Sequence, residues 1–113
     1  MKRGDIYDAR LQPTEGSEQS GIRPVLIVSR NAINHASPVI VIVPLTDAIN
    51  VKRQYPNNVA INKGEGGLTL DSVALTGQIR AISKTRLRQY RGSVLTATMN
   101  KVDRAMKITL DLL

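Results

Sequence analysis

The chain predicts a mainly β fold closed by one carboxy-terminal helix, a small and strongly bent antiparallel sheet or partly open barrel. Three observations carry that expectation. Two short apolar runs, Pro24 to Ser29 and Val39 to Leu45, have no polar face and read as central strands. Clusters of Gly, Pro, Ser and Asn separate the β-leaning segments as turns. The hydrophobic period changes only at the end, where Leu95, Met99, Val102, Met106, Leu110 and Leu113 recur every three or four residues on one helical face.

Taken in order, Gly4 to Leu11 reads as a first strand, and Gln12 to Gly21, rich in Pro, Gly, Ser and charge, as a loop. Asn31 to Ser37 is a polar or short helical turn between the two central strands. A weaker strand lies near Asn57 to Ile61, before the turn Lys63-Gly64-Glu65-Gly66-Gly67, whose glycines supply positive φ. Ser72 to Ile82 is one long β-leaning stretch. Gly92-Ser93 offers a stop and an N-cap for the helix. Its apolar stripe is expected to pack on the strands, with Lys101, Arg104 and Lys107 on the other side. Five or so strands and one helix result.

At 113 residues the chain is expected to form one domain, residues 1–113. Its hydrophobic fraction is 42%, with no tryptophan or phenylalanine, so the core must be aliphatic. The absence of cysteine excludes disulfides, thiolate catalysis and cysteine metal sites. Met1 to Asp5 is polar where a secretory signal is apolar, and the longest apolar run, Pro38 to Leu45, is too short to cross a bilayer. The expected setting is cytoplasmic, without membrane contact.

The formal net charge is +7 and the pI about 10.3. Between Asp71 and Asp103 there is no acidic residue, whereas Arg80, Lys84, Arg86, Arg88, Arg91 and Lys101 all fall there. Such a balance suits a phosphate backbone, although a basic surface for an acidic protein partner is equally consistent.

Several chemistries can be set aside. His35 is the only histidine and lies in the polar stretch NAINHAS, so paired-histidine and histidine-metal mechanisms are excluded and a solvated ring is expected. GEGGLT, from Gly64 to Thr69, lacks the strand and helix of a phosphate loop. Asp5 and Asp8 face opposite sides of their strand, and Ser29 and Ser72 have no base beside them. What remains is polar groups at strand ends. Arg23 opens one central strand, Thr46 closes the next, and Gln78 and Arg80 lie on the long stretch before the helix. If the two central strands pair antiparallel, Arg23 and Thr46 meet at one sheet edge. An arginine and a hydroxyl there can hold a phosphate and stabilise charge growing on it. The plain alternative is a turn-capping threonine and a surface ion pair.

Five blocks give these residues a context: KRGDIY (Lys2 to Tyr7), GSEQSGIRPVLIVS (Gly16 to Ser29), PLT (Pro44 to Thr46), DSVAL (Asp71 to Leu75) and QIRAISKTRL (Gln78 to Leu87). In order and spacing they resemble the MazF/PemK family of toxin endoribonucleases, the mRNA interferases, over nearly the whole chain. The resemblance implies an SH3-like barrel of the CcdB/MazF type, a homodimer, and a toxin of a type II toxin–antitoxin system. It also implies metal-independent, cofactor-free cleavage of single-stranded RNA. In that reaction the substrate's 2′-hydroxyl attacks the adjacent phosphorus, leaving a 2′,3′-cyclic phosphate and a 5′-hydroxyl.

By the same resemblance the catalytic pair falls on Arg23 and Thr46, and Ser17, Glu18 and Gln19 belong to the loop that touches RNA. Gln78 and Arg80 are implied RNA contacts near the dimer groove, with Lys84 and Arg86 attracting its backbone. The implied restraint is an acidic, MazE-like antitoxin. Two departures stand out. Ile6-Tyr7 replaces an aromatic pair that often contains tryptophan, leaving Tyr7 to stack a base, and Ser20 replaces a frequent glycine. A CcdB-like gyrase poison shares this fold, but its tryptophan-containing carboxy-terminal signature is missing here. A non-catalytic nucleic-acid-binding barrel is the other alternative.

Overall fold

The computed structural model describes residues 1–12, 15–18 and 21–113. Its strands are β1 (Asp5–Arg10), β2 (Ile22–Ile27), β3 (Val39–Asp47), β4 (Asn58–Ile61), β5 (Ser72–Leu75), β6 (Arg80–Ser83) and β7 (Leu87–Ser93). Two helices, α1 (Asn31–Ala36) and α2 (Thr96–Leu110), complete it. Every ladder is antiparallel, in the order β4-β5-β3-β2-β1-β7, with β6 also on β3.

β3 organises the molecule. Its run Val39-Ile40-Val41-Ile42-Val43 is β-branched throughout, which restricts χ1 and suits a pleated, two-sided strand. Alternation then sends its side chains into two cores. Val43 and Leu45 join Ile6, Leu26 and Ala74 under Met99, Val102 and Ala105 of α2. Ile40 and Ile42 join Ala9, Leu11, Val25, Ile27 and Ile82 on the opposite face. This second cluster fills the bend made by β6-β3-β2-β1-β7. β6 and β7 do not pair, and the three-residue turn Lys84–Arg86 spans the gap between them. The sheet is therefore a partly open barrel, as the sequence predicts.

The stretch Ser72 to Ile82 is not one strand, and the register shows why. Along one edge of β3, Leu45 faces Ala74 and Ile42 faces Arg80. Three steps on β3 thus correspond to six on its partner, and the surplus three residues, Thr76–Gln78, loop out as a 3-10 turn. Gln78 accordingly sits on a turn rather than on a strand. Inside it, Thr76 is fully buried, donating to the Asn57 carbonyl at 2.5 Å and meeting Thr109 of α2 at 2.9 Å.

β7 is also absent from the sequence reading, which takes this segment only as a basic approach to the helix. It pairs with β1 through two register shifts, and that irregularity blurs any period-2 signal. Nor does Ser93 cap α2: its hydroxyl donates to Asp5 at 2.6 Å. The helix begins three residues later, and the cap comes from a distance. Glu65 Oε2 accepts from the Leu95 amide at 3.0 Å and from the Thr98 hydroxyl at 2.5 Å. A carboxylate there satisfies an orphan donor and opposes the helix dipole. The stripe is buried only in its middle, since Leu95, Leu110 and Leu113 are exposed.

That remote cap depends on a glycine turn packed on β7. Gly66 and Gly67 both hold positive φ, and a Cβ on Gly67 would lie 2.1 Å from the Arg91 carbonyl oxygen. Gly64 also has positive φ but nothing within 4 Å of its Cβ position. Gly64→Ala should cost only the left-handed backbone penalty, roughly 1–2 kcal/mol. Gly67→Ala adds a backbone clash and should cost about 3 kcal/mol or more. Urea midpoints of the two variants measure the difference, and equal midpoints would remove the turn's packing role.

Tyr7 and Tyr90 pack edge to face across β1 and β7, centroids 5.3 Å apart. Burial first, then the Asp5 carboxylate and Tyr90, push the Tyr7 phenol above its ordinary value. A raised folded-state pKa means the neutral phenol favours the fold. The contribution is whole below the unfolded value, near pH 10, and is lost as pH rises through the folded one. The unfolding free energy of the wild type should therefore fall relative to Tyr7→Phe as pH rises above about 10. A constant difference would contradict that environment.

Candidate nucleic-acid interface

β2 and β3 place Val25 opposite Pro44 and Leu26 opposite Val43. Continued two residues outward, this register sets Arg23 across from Thr46. Cross-strand neighbours project from the same face, so the pairing expected from the sequence is realised at the sheet's end. Both residues line one cleft of about 200 Å³, together with Leu68, Thr69 and Arg91.

The two differ in exposure. Arg23 is open to solvent, and its guanidinium stays protonated at any physiological pH. Thr46 is buried to 5% exposure, held in the ladder opposite Val73. Its Oγ1 accepts from Asn50 Nδ2 at 3.2 Å. A hydroxyl used as acceptor keeps its own proton to donate. Local sequence explains how Asn50 arrives there. The Asp47 carboxylate accepts from the Ile49 amide at 3.1 Å and caps the short turn Ala48–Asn50, which folds the chain back onto Thr46. Arginine and hydroxyl together can bind a phosphate and stabilise negative charge that grows on it.

A second cleft, about 320 Å³, abuts the first along β3 at Pro44 and is lined by Glu18, Gln78 and Arg80. The loop-out of Thr76–Gln78 brings Gln78 here, where its Nε2 donates to the Ser17 carbonyl at 3.4 Å. Arg80 donates to the Leu11 carbonyl at 3.4 Å. Glu18, Gln78 and Arg80 therefore share one cleft, with Ser17 beside them; Gln19 lies outside the described residues. Lys84 and Arg86 are placed otherwise. Lys84 adjoins Pro38, at the end of β3 remote from Thr46. Arg86 donates to the carbonyls of Arg10 at 3.2 Å and of Gln12, gripping the chain where it leaves β1.

The remaining candidates stay apart. His35 is exposed on α1. Asp5 accepts from Ser93 and from the Lys2 amide at 2.9 Å, while Asp8 pairs with Arg91 at 3.0 Å. Tyr7 is engaged with Tyr90. Among the described residues no three His, Cys, Asp or Glu side chains converge as metal ligands, and no helix is long and apolar enough to cross a membrane.

Sequence reasoning misses Arg91, which lines the first cleft, and Asn50, which holds Thr46 from beside it. The signal for Asn50 was Asp47, a turn-capping residue directly after Thr46. Arg91 is visible only as one member of the basic interval, because its position depends on the irregular β1–β7 pairing.

Comparison with known proteins bears on the family and the fold. The family model for the PemK-like, MazF-like toxin of type II toxin–antitoxin systems matches residues 2–110. The chain is 41% identical over 112 residues to an endoribonuclease MazF of Staphylococcus epidermidis, covering 99% of this chain and 92% of that protein. A mycobacterial endoribonuclease solved in complex with its cognate antitoxin superposes with a TM-score of 0.82 at 32% identity, over 100% of this chain and 97% of that one. The MazF of Deinococcus radiodurans shares the fold with a TM-score of 0.84 at 21% identity, over 99% and 97%. On both its sequence and its fold, this chain belongs to the PemK-like, MazF-like toxin family of type II toxin–antitoxin systems.

Proposed function

We propose that this toxin is a sequence-specific endoribonuclease that cuts single-stranded RNA, messenger RNA in the cytoplasm, using Arg23 and Thr46 and no metal. The observation that carries the reading is the meeting of these two side chains in one cleft at the ends of paired strands. The rest follows from what that pair can do. With neither histidine nor thiol in the cleft, the nucleophile is best supplied by the RNA itself. Its 2′-oxygen bonds to the adjacent phosphorus, the bond to the 5′-oxygen breaks, and the proton passes from the attacking to the departing oxygen. Products are a 2′,3′-cyclic phosphate and a 5′-hydroxyl. Arg23 clamps the phosphorane oxygens, whose charge rises in the transition state. Thr46, its lone pair taken by Asn50, donates its proton to the same phosphate. Arg23 acts by charge, since a guanidinium does not give up its proton at neutral pH.

The neighbouring cleft suits a base of the substrate: Glu18 accepts, Gln78 both donates and accepts, and Arg80 donates. Ser17 and Gln19 extend it on the loop. Arg86 serves by fixing that loop's base, and Lys84 by general attraction of the backbone. A homodimer restrained by an acidic antitoxin completes the proposal. The mycobacterial relative is seen with its antitoxin, and the present charge of +7 favours an acidic peptide that folds on binding.

Purified protein should cut a long mixed RNA at selected sequences in the presence of EDTA, leaving 5′-hydroxyl ends. Arg23→Ala and Thr46→Ala should each lower kcat by about 10²–10³-fold while still binding a substrate carrying 2′-deoxy at the cut. Phosphate ends at the 5′ side, or full activity in either variant, would refute the mechanism. Asn50→Ala should lower kcat by roughly tenfold with KM and melting temperature little changed, because one hydrogen bond orients the hydroxyl and is worth about 1 kcal/mol. An effect on KM alone would instead make Asn50 a substrate contact.

A further inference from the structure

We infer that Arg91 is a second phosphate-binding residue, holding the RNA phosphodiester next to the one that is cut. The inference rests on the endonuclease reading above and extends it by one subsite. The observation behind it is that the Arg23–Thr46 cleft is lined by a second arginine. Arg91 comes from β7, which is neither of the strands that carry the catalytic pair.

The side chain is fixed before any ligand arrives. Nε and Nη2 donate to the Gly67 carbonyl at 3.3 and 3.1 Å, and Nη1 donates to Asp8 at 3.0 Å. Those bonds use three of the five N–H donors of a guanidinium and leave two. A planar fork with two donors to spare matches a phosphate, and its orientation has been settled by the fold rather than by the substrate. Asp8 stands directly across the ladder from Pro24, the residue after Arg23. The ion pair thus ties the second arginine to β1, the strand paired with the one that bears the first.

The cleft's chemistry also favours a backbone group. At about 200 Å³ it is smaller than a usual organic-ligand pocket, and its polar lining residues are two arginines, Thr46, Thr69 and Ser72 against a single acid, Asp47. The base-sized cleft, in contrast, lies on the Gln78 side of β3. An RNA strand crossing the sheet's end would place its scissile phosphate at Arg23 and Thr46, one base toward Gln78, and a flanking phosphate at Arg91. Asp8 lowers the net charge of the subsite, so Arg91 contributes position more than long-range attraction. Its loss should therefore appear as weaker binding of substrate, with the chemistry of the bound complex retained.

The test uses a short RNA containing the mapped cut site, with 2′-deoxy at the cleaved nucleotide so that binding is read without turnover. In the wild type, a neutral methylphosphonate is placed at each linkage flanking the cut in turn. One position should weaken binding by about tenfold, and Arg91→Met should weaken the unmodified RNA equally while becoming indifferent to that linkage. Arg91→Met should also remove roughly one unit from the slope of log K against log salt. Arg104→Met, an exposed arginine on α2, should leave the methylphosphonate pattern intact. Arg91→Lys, which keeps the charge but not the fork, should recover the salt slope and only part of the affinity. No flanking linkage that weakens wild-type binding, or full additivity between Arg91→Met and every linkage, overturns the inference. The first arm needs no variant, so a destabilised Arg91→Met leaves the question answerable. A wild type that neither binds nor cuts RNA would overturn the endonuclease reading itself, which is a separate outcome.

Discussion

The close approach of Gly67 to the Arg91 carbonyl is the contact on which most of the structure depends. Nothing larger than a hydrogen fits there, and both Gly66 and Gly67 take a backbone conformation that side chains resist. The contact binds the turn after β4 to β7, at the two ends of the strand order. From that one seam come three consequences. Glu65 reaches the start of α2 and caps it. The Gly67 carbonyl receives the Arg91 guanidinium. Leu68, Thr69 and Leu70 are carried to the rim of the Arg23–Thr46 cleft. Barrel closure, helix start and part of the cleft's lining are a single packing event.

β3 supplies the other half of the design. It lends one edge to β2 and the other to β6 and β5 in succession, and the three-residue surplus between those two is accommodated beside Pro44. A uniform ladder there would leave a flat sheet edge. The loop-out instead raises Gln78 and Arg80 into a cleft immediately next to that of Arg23 and Thr46. Bulges are costly to the ladder and are retained where they aim side chains, and this one separates recognition from phosphate chemistry by a single strand.

Much of this was legible in the sequence, and the limits have physical causes. The central strands were readable because continuous Val and Ile runs have few other stable arrangements. The pairing of Arg23 with Thr46 followed from antiparallel geometry once both were placed at strand ends, and the likeness of GIRPVLIVS and PLT to a toxin family gave that pairing a chemistry. Ser72 to Ile82 could be read as β-leaning but not divided, since a loop-out depends on the register of the partner strand. β7 was unreadable for a related reason: its shifted ladder mixes exposed and half-buried residues without a period. Ser93 was a sound N-cap by local rules, yet Asp5 competes for its hydroxyl and a carboxylate thirty residues upstream takes the role. Tertiary partners decide such cases, and no local pattern contains them.

In the proposed mechanism, the contrast between Arg23 and Thr46 is what lets so small a domain cut RNA without an internal base. A hydroxyl is a useful catalyst only if its one proton points the right way, which requires burial and a fixed acceptor bond. Thr46 has both, through the β5 ladder and Asn50. A guanidinium needs no such tuning, because its charge is permanent and its donors are many. It must instead meet a charged substrate arriving from water, and exposure at a strand mouth permits that. Where the substrate contributes the nucleophile, as proposed, protein groups need only hold the phosphate and receive its developing charge. Under that division of labour, affinity has to come from flanking contacts that leave the central pair unencumbered. The cleft that Arg23 and Thr46 line together with Arg91, and a second one beside it at Pro44, are the arrangement this proposal requires.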